Sequence, residues 1–117
     1  MVSDAHLDTQ WNWDIQTTIK DYVWNTISQN LFLLKQYPEY IFNFEGGVKY
    51  AWMKEYYPAQ YEEMKKFIES GRWHISGASW DATDTLVPSI ESAIRNIMLG
   101  QNYYCLLYTS DAADDLI

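Results

Sequence analysis

Ala5-His6-Leu7-Asp8-Thr9-Gln10-Trp11 sets an imidazole, a carboxylate and an indole within a few positions of one another. In an extended segment side chains two apart share a face, so His6 and Asp8 are expected to point to the same side and grip one metal ion together. A neutral imidazole nitrogen and a carboxylate oxygen both suit zinc, at roughly 2.0 to 2.2 Å. Trp11 would then stand beside the metal as a flat apolar wall. A His-x-Asp pair is also a common product of structural hydrogen bonding, so the pair needs support from elsewhere in the chain.

That support comes from Gly77-Ala78-Ser79-Trp80-Asp81-Ala82-Thr83-Asp84-Thr85-Leu86-Val87-Pro88-Ser89. It is a loop rich in Gly, Ser, Thr and Pro that carries two carboxylates and precedes an apolar helical pattern. Loops mounted on rigid elements carry binding and catalysis disproportionately. Taken by itself, Asp84 also reads as a turn residue that bonds its own backbone before Pro88.

Together the two segments resemble glycoside hydrolase family 38, the retaining α-mannosidases, over about Val2 to Tyr104. The resemblance includes Tyr37-Pro38-Glu39-Tyr40 and Glu69-Ser70-Gly71-Arg72-Trp73. It implies that His6 and Asp8 are zinc ligands and that Trp11 lines the sugar subsite. It also implies that Asp84, four residues after Trp80, is both the nucleophile and a metal ligand. Trp80 is expected to contact substrate, and Asp81, off the family spacing, to be a loop hydrogen-bonding residue. The family's fourth ligand, a His, and its acid/base carboxylate both lie further downstream, and neither has a counterpart here. His74 reads as a hydrogen-bonded structural residue. The family's catalytic domain is a seven-stranded α/β barrel, of which this chain would supply the first strands.

Cys105-Leu106-Leu107-Tyr108-Thr109-Ser110-Asp111-Ala112-Ala113-Asp114 resembles the translation of a transposase adapter used in preparing sequencing libraries. The expected organisation is therefore residues 1–104 as the N-terminal part of the catalytic domain and 105–117 as a non-native or poorly structured tail. The chain carries 8 basic and 16 acidic residues, a net charge of minus eight. Setting aside Asp111, Asp114 and Asp115 leaves 8 against 13, or minus five. No basic stripe exists to neutralise phosphates, which argues against nucleic acid or an anionic membrane as partner. The single cysteine, Cys105, excludes a disulfide framework and leaves the redox compartment unread. No apolar run reaches the roughly 18 residues of a membrane span, so a soluble protein is expected, and the chain reads as clipped at both ends.

The elements that must position these residues follow from periodicity. From Asp14, a candidate N-cap, apolar residues fall at Ile15, Ile19, Tyr22, Val23, Ile27, Leu31 and Leu34, which predicts a long helix ending before Pro38. Tyr40 to Glu45 reads as a strand closed by Gly46-Gly47. Val48 to Tyr57 reads as helix, and Pro58 restarts another that Gly71 ends, with Tyr61, Met64, Phe67 and Ile68 inward. Trp73 to Ser76 is the next strand. Ser89 then caps a helix whose inner face is expected at Ile90, Ala93, Ile94, Ile97 and Met98. Strands alternating with helices predict a parallel α/β fold, incomplete as a barrel, with ligands at the carboxyl ends of the strands. Six Trp, ten Tyr and four Phe are assigned mostly to the core.

The function expected is a piece of a metal-dependent enzyme that hydrolyses terminal α-mannosides of glycans, inactive by itself. Two other readings remain. One is a noncatalytic carbohydrate-binding module that stacks sugars on Trp11, Trp13 and Trp80. The other is a different metal-dependent carbohydrate hydrolase such as a deacetylase, which would want further His ligands nearby.

Overall fold

The computed structural model describes residues 3–114, and side-chain burial over residues 4–107. Three strands form one sheet in the order β1 (Ser3–Asp4), β2 (Phe42–Glu45) and β3 (Trp73–Ser76). Both pairings are parallel, with Ser3 opposite Phe42 and Phe42 opposite Trp73. Parallel neighbours require crossovers, and helices supply them. Between β1 and β2 run α1 (Ile15–Thr17), a π-helical stretch (Thr18–Val23) and α2 (Trp24–Gln36). Between β2 and β3 lie α3 (Gly47–Tyr56) and α4 (Pro58–Glu69), and α5 (Ile90–Asp114) follows the loop after β3. The alternation is that of an α/β fold.

The described chain forms two compact units. One holds the residues up to Glu45 together with Lys49–Ser76, and the other Gly46–Val48 together with the residues from Gly77 on. In the first unit the sheet and crossover helices enclose Ile19, Val23, Ile27, Leu31, Leu34, Phe42, Phe44, Tyr50, Met53, Tyr61, Met64 and Trp73. Edge-on ring contacts tie Trp73 to Phe42 (centroids 4.7 Å) and to Phe44 (6.5 Å). A buried relay crosses this core: Trp73 Nε1–H donates to the Tyr50 hydroxyl (3.0 Å), which donates to the Phe44 carbonyl (2.8 Å).

The predicted first helix is present from Ile15, capped by Asp14, whose carboxylate accepts the Thr17 N–H at 2.8 Å. Its buried side chains step by four from Ile19 through Val23 and Ile27 to Leu31. That spacing outruns a 3.6-residue period, and the wider π turn between Thr18 and Val23 takes up part of the drift. Two residues expected on the buried stripe, Ile15 and Tyr22, are exposed as a result. Pro58 opens α4 as foreseen, and Gly71 closes it at φ +72°, a backbone region that favours glycine.

In the second unit the expectation for α5 is overturned. Ile90, Ile94, Ile97 and Met98 are exposed, while Gly100, Tyr104 and Leu107 are buried. The loop backbone packs on the Asn96, Gly100 and Tyr104 side of the helix: Asn96 accepts the Trp80 N–H through its carbonyl at 2.9 Å, and the Tyr104 hydroxyl reaches the Ser79 carbonyl at 3.3 Å. A peptide chain laid against a helix needs small and polar residues beneath it, and the apolar stripe is turned away. The helix continues past Tyr104 to Asp114, so no break marks the boundary expected there. The aromatic assignment also needs correction, because Trp11, Tyr22, Trp24, Phe32, Tyr37 and Tyr56 are exposed. Among the described residues no helix is long and apolar enough to cross a membrane.

Candidate functional site

β1 ends at Asp4, two residues before His6, so the His-x-Asp pair sits just beyond the carboxyl end of a parallel strand. There the backbone is free to aim both side chains together. His6 Nε2 lies 3.4 Å from Asp8 Oδ1, with the imidazole 83% and the carboxylate 41% exposed. The expected same-side geometry of the pair is therefore realised within one turnless stretch.

What anchors the segment after the pair is Thr18, which the sequence reading did not single out. It is fully buried. Its hydroxyl donates to the Thr9 carbonyl at 2.7 Å and accepts the Trp13 indole N–H at 2.8 Å. Trp13 also packs against Tyr22, with centroids 4.6 Å apart. A polar residue one position before a buried Ile at a helix start is the only signal that could have pointed to Thr18. Asp14 holds the same helix start from outside, and the Thr17 N–H keeps its carboxyl below the usual carboxylate range. Trp11 remains 70% exposed between these anchors and the pair.

The second unit holds the other predicted residues. Asp84 is exposed, and its Oδ1 accepts the Leu86 N–H at 2.8 Å, the self-bonding turn that its sequence context suggested. That bond uses one carboxylate oxygen. Asp81 is the loop hydrogen-bonding residue expected of it, accepting the Ala82 N–H through Oδ1. Its backbone is held by Asn96, a second residue the sequence reading passed over, through Asp81 N–H to Asn96 Oδ1 and Asn96 Nδ2–H to the Asp81 carbonyl, both 2.9 Å. Asp81, Thr83, Asp84, Pro88, Ser92 and Asn96 line a cavity of about 220 Å³. Trp80 is half-buried, its ring edge-on to Tyr103 at 5.4 Å and close against Gly47.

A larger cavity of about 330 Å³ on α2, lined by Ser28, Gln29, Phe32 and Leu33, contains no titratable group and is not a candidate for chemistry. His74 is exposed on β3, where a hydrogen-bonded structural role was expected.

The donor chemistry of His6 and Asp8 fits a divalent cation such as zinc. Among the described residues no group of three or more His, Cys, Asp or Glu side chains could hold a metal ion. Asp84 belongs to the second unit and the pair to the first.

Comparison with known proteins agrees with the motifs. Residues 1–106 match the glycosyl hydrolases family 38 N-terminal domain. The chain is 31% identical to alpha-mannosidase G of Dictyostelium discoideum over 103 residues, which are 88% of this chain and 9% of that protein. It is also 31% identical to human alpha-mannosidase 2C1, covering 86% of this chain and 10% of the relative. With alpha-mannosidase of Saccharomyces cerevisiae it shares 28% identity over 88% of this chain and 10% of the relative. The chain thus spans about a tenth of the length of these relatives. It belongs to glycoside hydrolase family 38, as a stretch of that family's N-terminal domain.

Proposed function

We propose that this chain is the N-terminal part of the catalytic domain of a retaining, metal-dependent α-mannosidase that removes terminal α-mannosides from glycans. The observation that carries the reading is the His6–Asp8 pair, its facing atoms 3.4 Å apart just beyond a parallel strand, in a chain of this family. Residues 1–104 would contribute the first strands of a seven-stranded α/β barrel, and 105–117 would be foreign to it. Apart from this chain, the rest of the catalytic domain is needed for turnover.

In this reading His6, Asp8 and Asp84 would be the ligands of one divalent cation, zinc by preference. The cation would bind sugar hydroxyls and favour a distorted ring. Asp84 attacks the anomeric carbon through a carboxylate oxygen, forming a glycosyl ester as the leaving oxygen departs. The proton for that oxygen comes from an acid/base carboxylate beyond this chain, roughly 5 to 5.5 Å from the nucleophile. Trp11 and Trp80 would offer apolar faces to the sugar.

In the complete enzyme, Asp84→Asn should abolish hydrolysis of an aryl α-mannoside while metal stays bound, and retained turnover would remove Asp84 as nucleophile. His6→Ala should lower zinc content, and undiminished zinc would remove the pair as ligands. The 117-residue chain alone should release no nitrophenol. Trp11, 70% exposed, favours a second reading as a noncatalytic sugar-binding surface. Titration with mannose in the presence and absence of a chelator separates the two, because a purely aromatic site ignores metal removal.

A further inference from the structure

We propose that Asn96 is a positioning residue for the Asp84 loop, setting the orientation of that carboxylate through the loop backbone; this rests on the reading of Asp84 as nucleophile. Three backbone groups at the base of the loop are held by this one residue. The Trp80 N–H donates to the Asn96 carbonyl, the Asp81 N–H donates to Oδ1, and Nδ2 donates to the Asp81 carbonyl, each at 2.9 Å. The side-chain amide pairs with the Asp81 peptide as a neighbouring strand would. Only a short side chain with a donor and an acceptor on one planar head can do so, which restricts the position to Asn.

Two other features hold the same backbone. The N–H groups of Gly47 and Val48 donate to the Ser79 and Trp80 carbonyls at 3.2 and 2.9 Å. Gly100 allows the loop to lie on α5, because a Cβ there would overlap the Ala78 carbonyl oxygen and the Ser79 carbonyl carbon. Beyond Asp81 the situation reverses. Residues 82–89 are all exposed, and Asp84 is steadied by its own bond to the Leu86 N–H. Its direction is therefore inherited from the clamp three residues earlier. Asn96 also lines the cavity that Asp84 lines.

Asn96→Leu keeps the approximate size of the side chain and removes donor and acceptor together; Asn96→Ala serves if the larger residue prevents folding. In the 117-residue chain, amide exchange at Asp81 should accelerate about tenfold or more, with exchange in α4 unchanged, while the Trp80 N–H keeps its main-chain acceptor at residue 96. In the complete enzyme, kcat on an aryl α-mannoside should fall about tenfold or more, with KM held, since small misplacements of a reacting group are costly. Unchanged exchange at Asp81 overturns the clamp. A kcat within twofold of the parent, in a background where Asp84→Asn is inactive, overturns its role in positioning. Activity of Asp84→Asn overturns the nucleophile reading instead, and the exchange result then still decides the clamp.

Discussion

The Thr18 hydroxyl donates a 2.7 Å hydrogen bond to the Thr9 carbonyl, joining the residue after the His6-Leu7-Asp8 stretch to the first turn of the crossover helix. The same oxygen accepts the Trp13 indole N–H at 2.8 Å. One buried atom thus fixes both ends of the segment that carries Trp11.

Thr18→Val keeps the shape of the side chain and deletes the hydroxyl. The Thr9 carbonyl and the Trp13 indole N–H then lose this partner in a part-buried site. We expect a loss of about 1 to 3 kcal/mol in urea unfolding, seen as a lower midpoint at constant slope. Thr18→Ser should retain most of the stability. Equal stability of Thr18→Val and the parent would show that water replaces both bonds.

Tyr50→Phe tests the core of the first unit. The Trp73 indole N–H and the Phe44 carbonyl both meet the Tyr50 hydroxyl, and all three residues are buried. Deleting that oxygen should cost about 1 to 3 kcal/mol, since each orphaned group bears its desolvation penalty. Near-ultraviolet dichroism should report the altered Trp73 environment.

Gly100→Ala would stabilise an ordinary exposed helix by up to about 1 kcal/mol. Here we expect the opposite sign, because the new methyl group would run into the backbone of Ala78 and Ser79. Overpacking of this kind costs about 1 to 3 kcal/mol. A raised melting temperature would show that the loop moves away from α5 without penalty.

The acid limb of stability should include Asp14. Its carboxyl is held low first by the Thr17 N–H, so the folded state binds its proton more weakly than the unfolded chain does. The stabilisation is present above the ordinary Asp value of roughly 3.9 and is lost as pH falls through the lower folded value. Asn caps helices as well as Asp does but does not titrate. Asp14→Asn should therefore flatten the pH dependence of the unfolding midpoint below about pH 4. An unaltered acid limb would remove Asp14 from that linkage.

Local signals were strong enough to read most elements directly. Asp14, Pro58 and Gly71 act through their own backbone geometry, so the helix start, restart and stop they mark stand where the residues stand. Trp73 to Ser76 is a strand with the expected ends. The facing of His6 and Asp8 was equally legible, because a two-residue spacing in extended chain fixes it without help from the rest of the molecule.

What needed the tertiary structure is whatever depends on the partner an element meets. The apolar stripe of α5 predicted its inner face, yet the helix receives the peptide backbone of residues 78–81, and backbone asks for Gly100 and Asn96 rather than for isoleucine. Periodicity can report that a helix has an apolar side, but which side is covered depends on what lies against it. Thr18 and Asn96 were passed over for the same reason. A lone hydroxyl or amide gains meaning only when folding brings a distant carbonyl or N–H within about 3 Å, and nothing in the local sequence encodes that meeting.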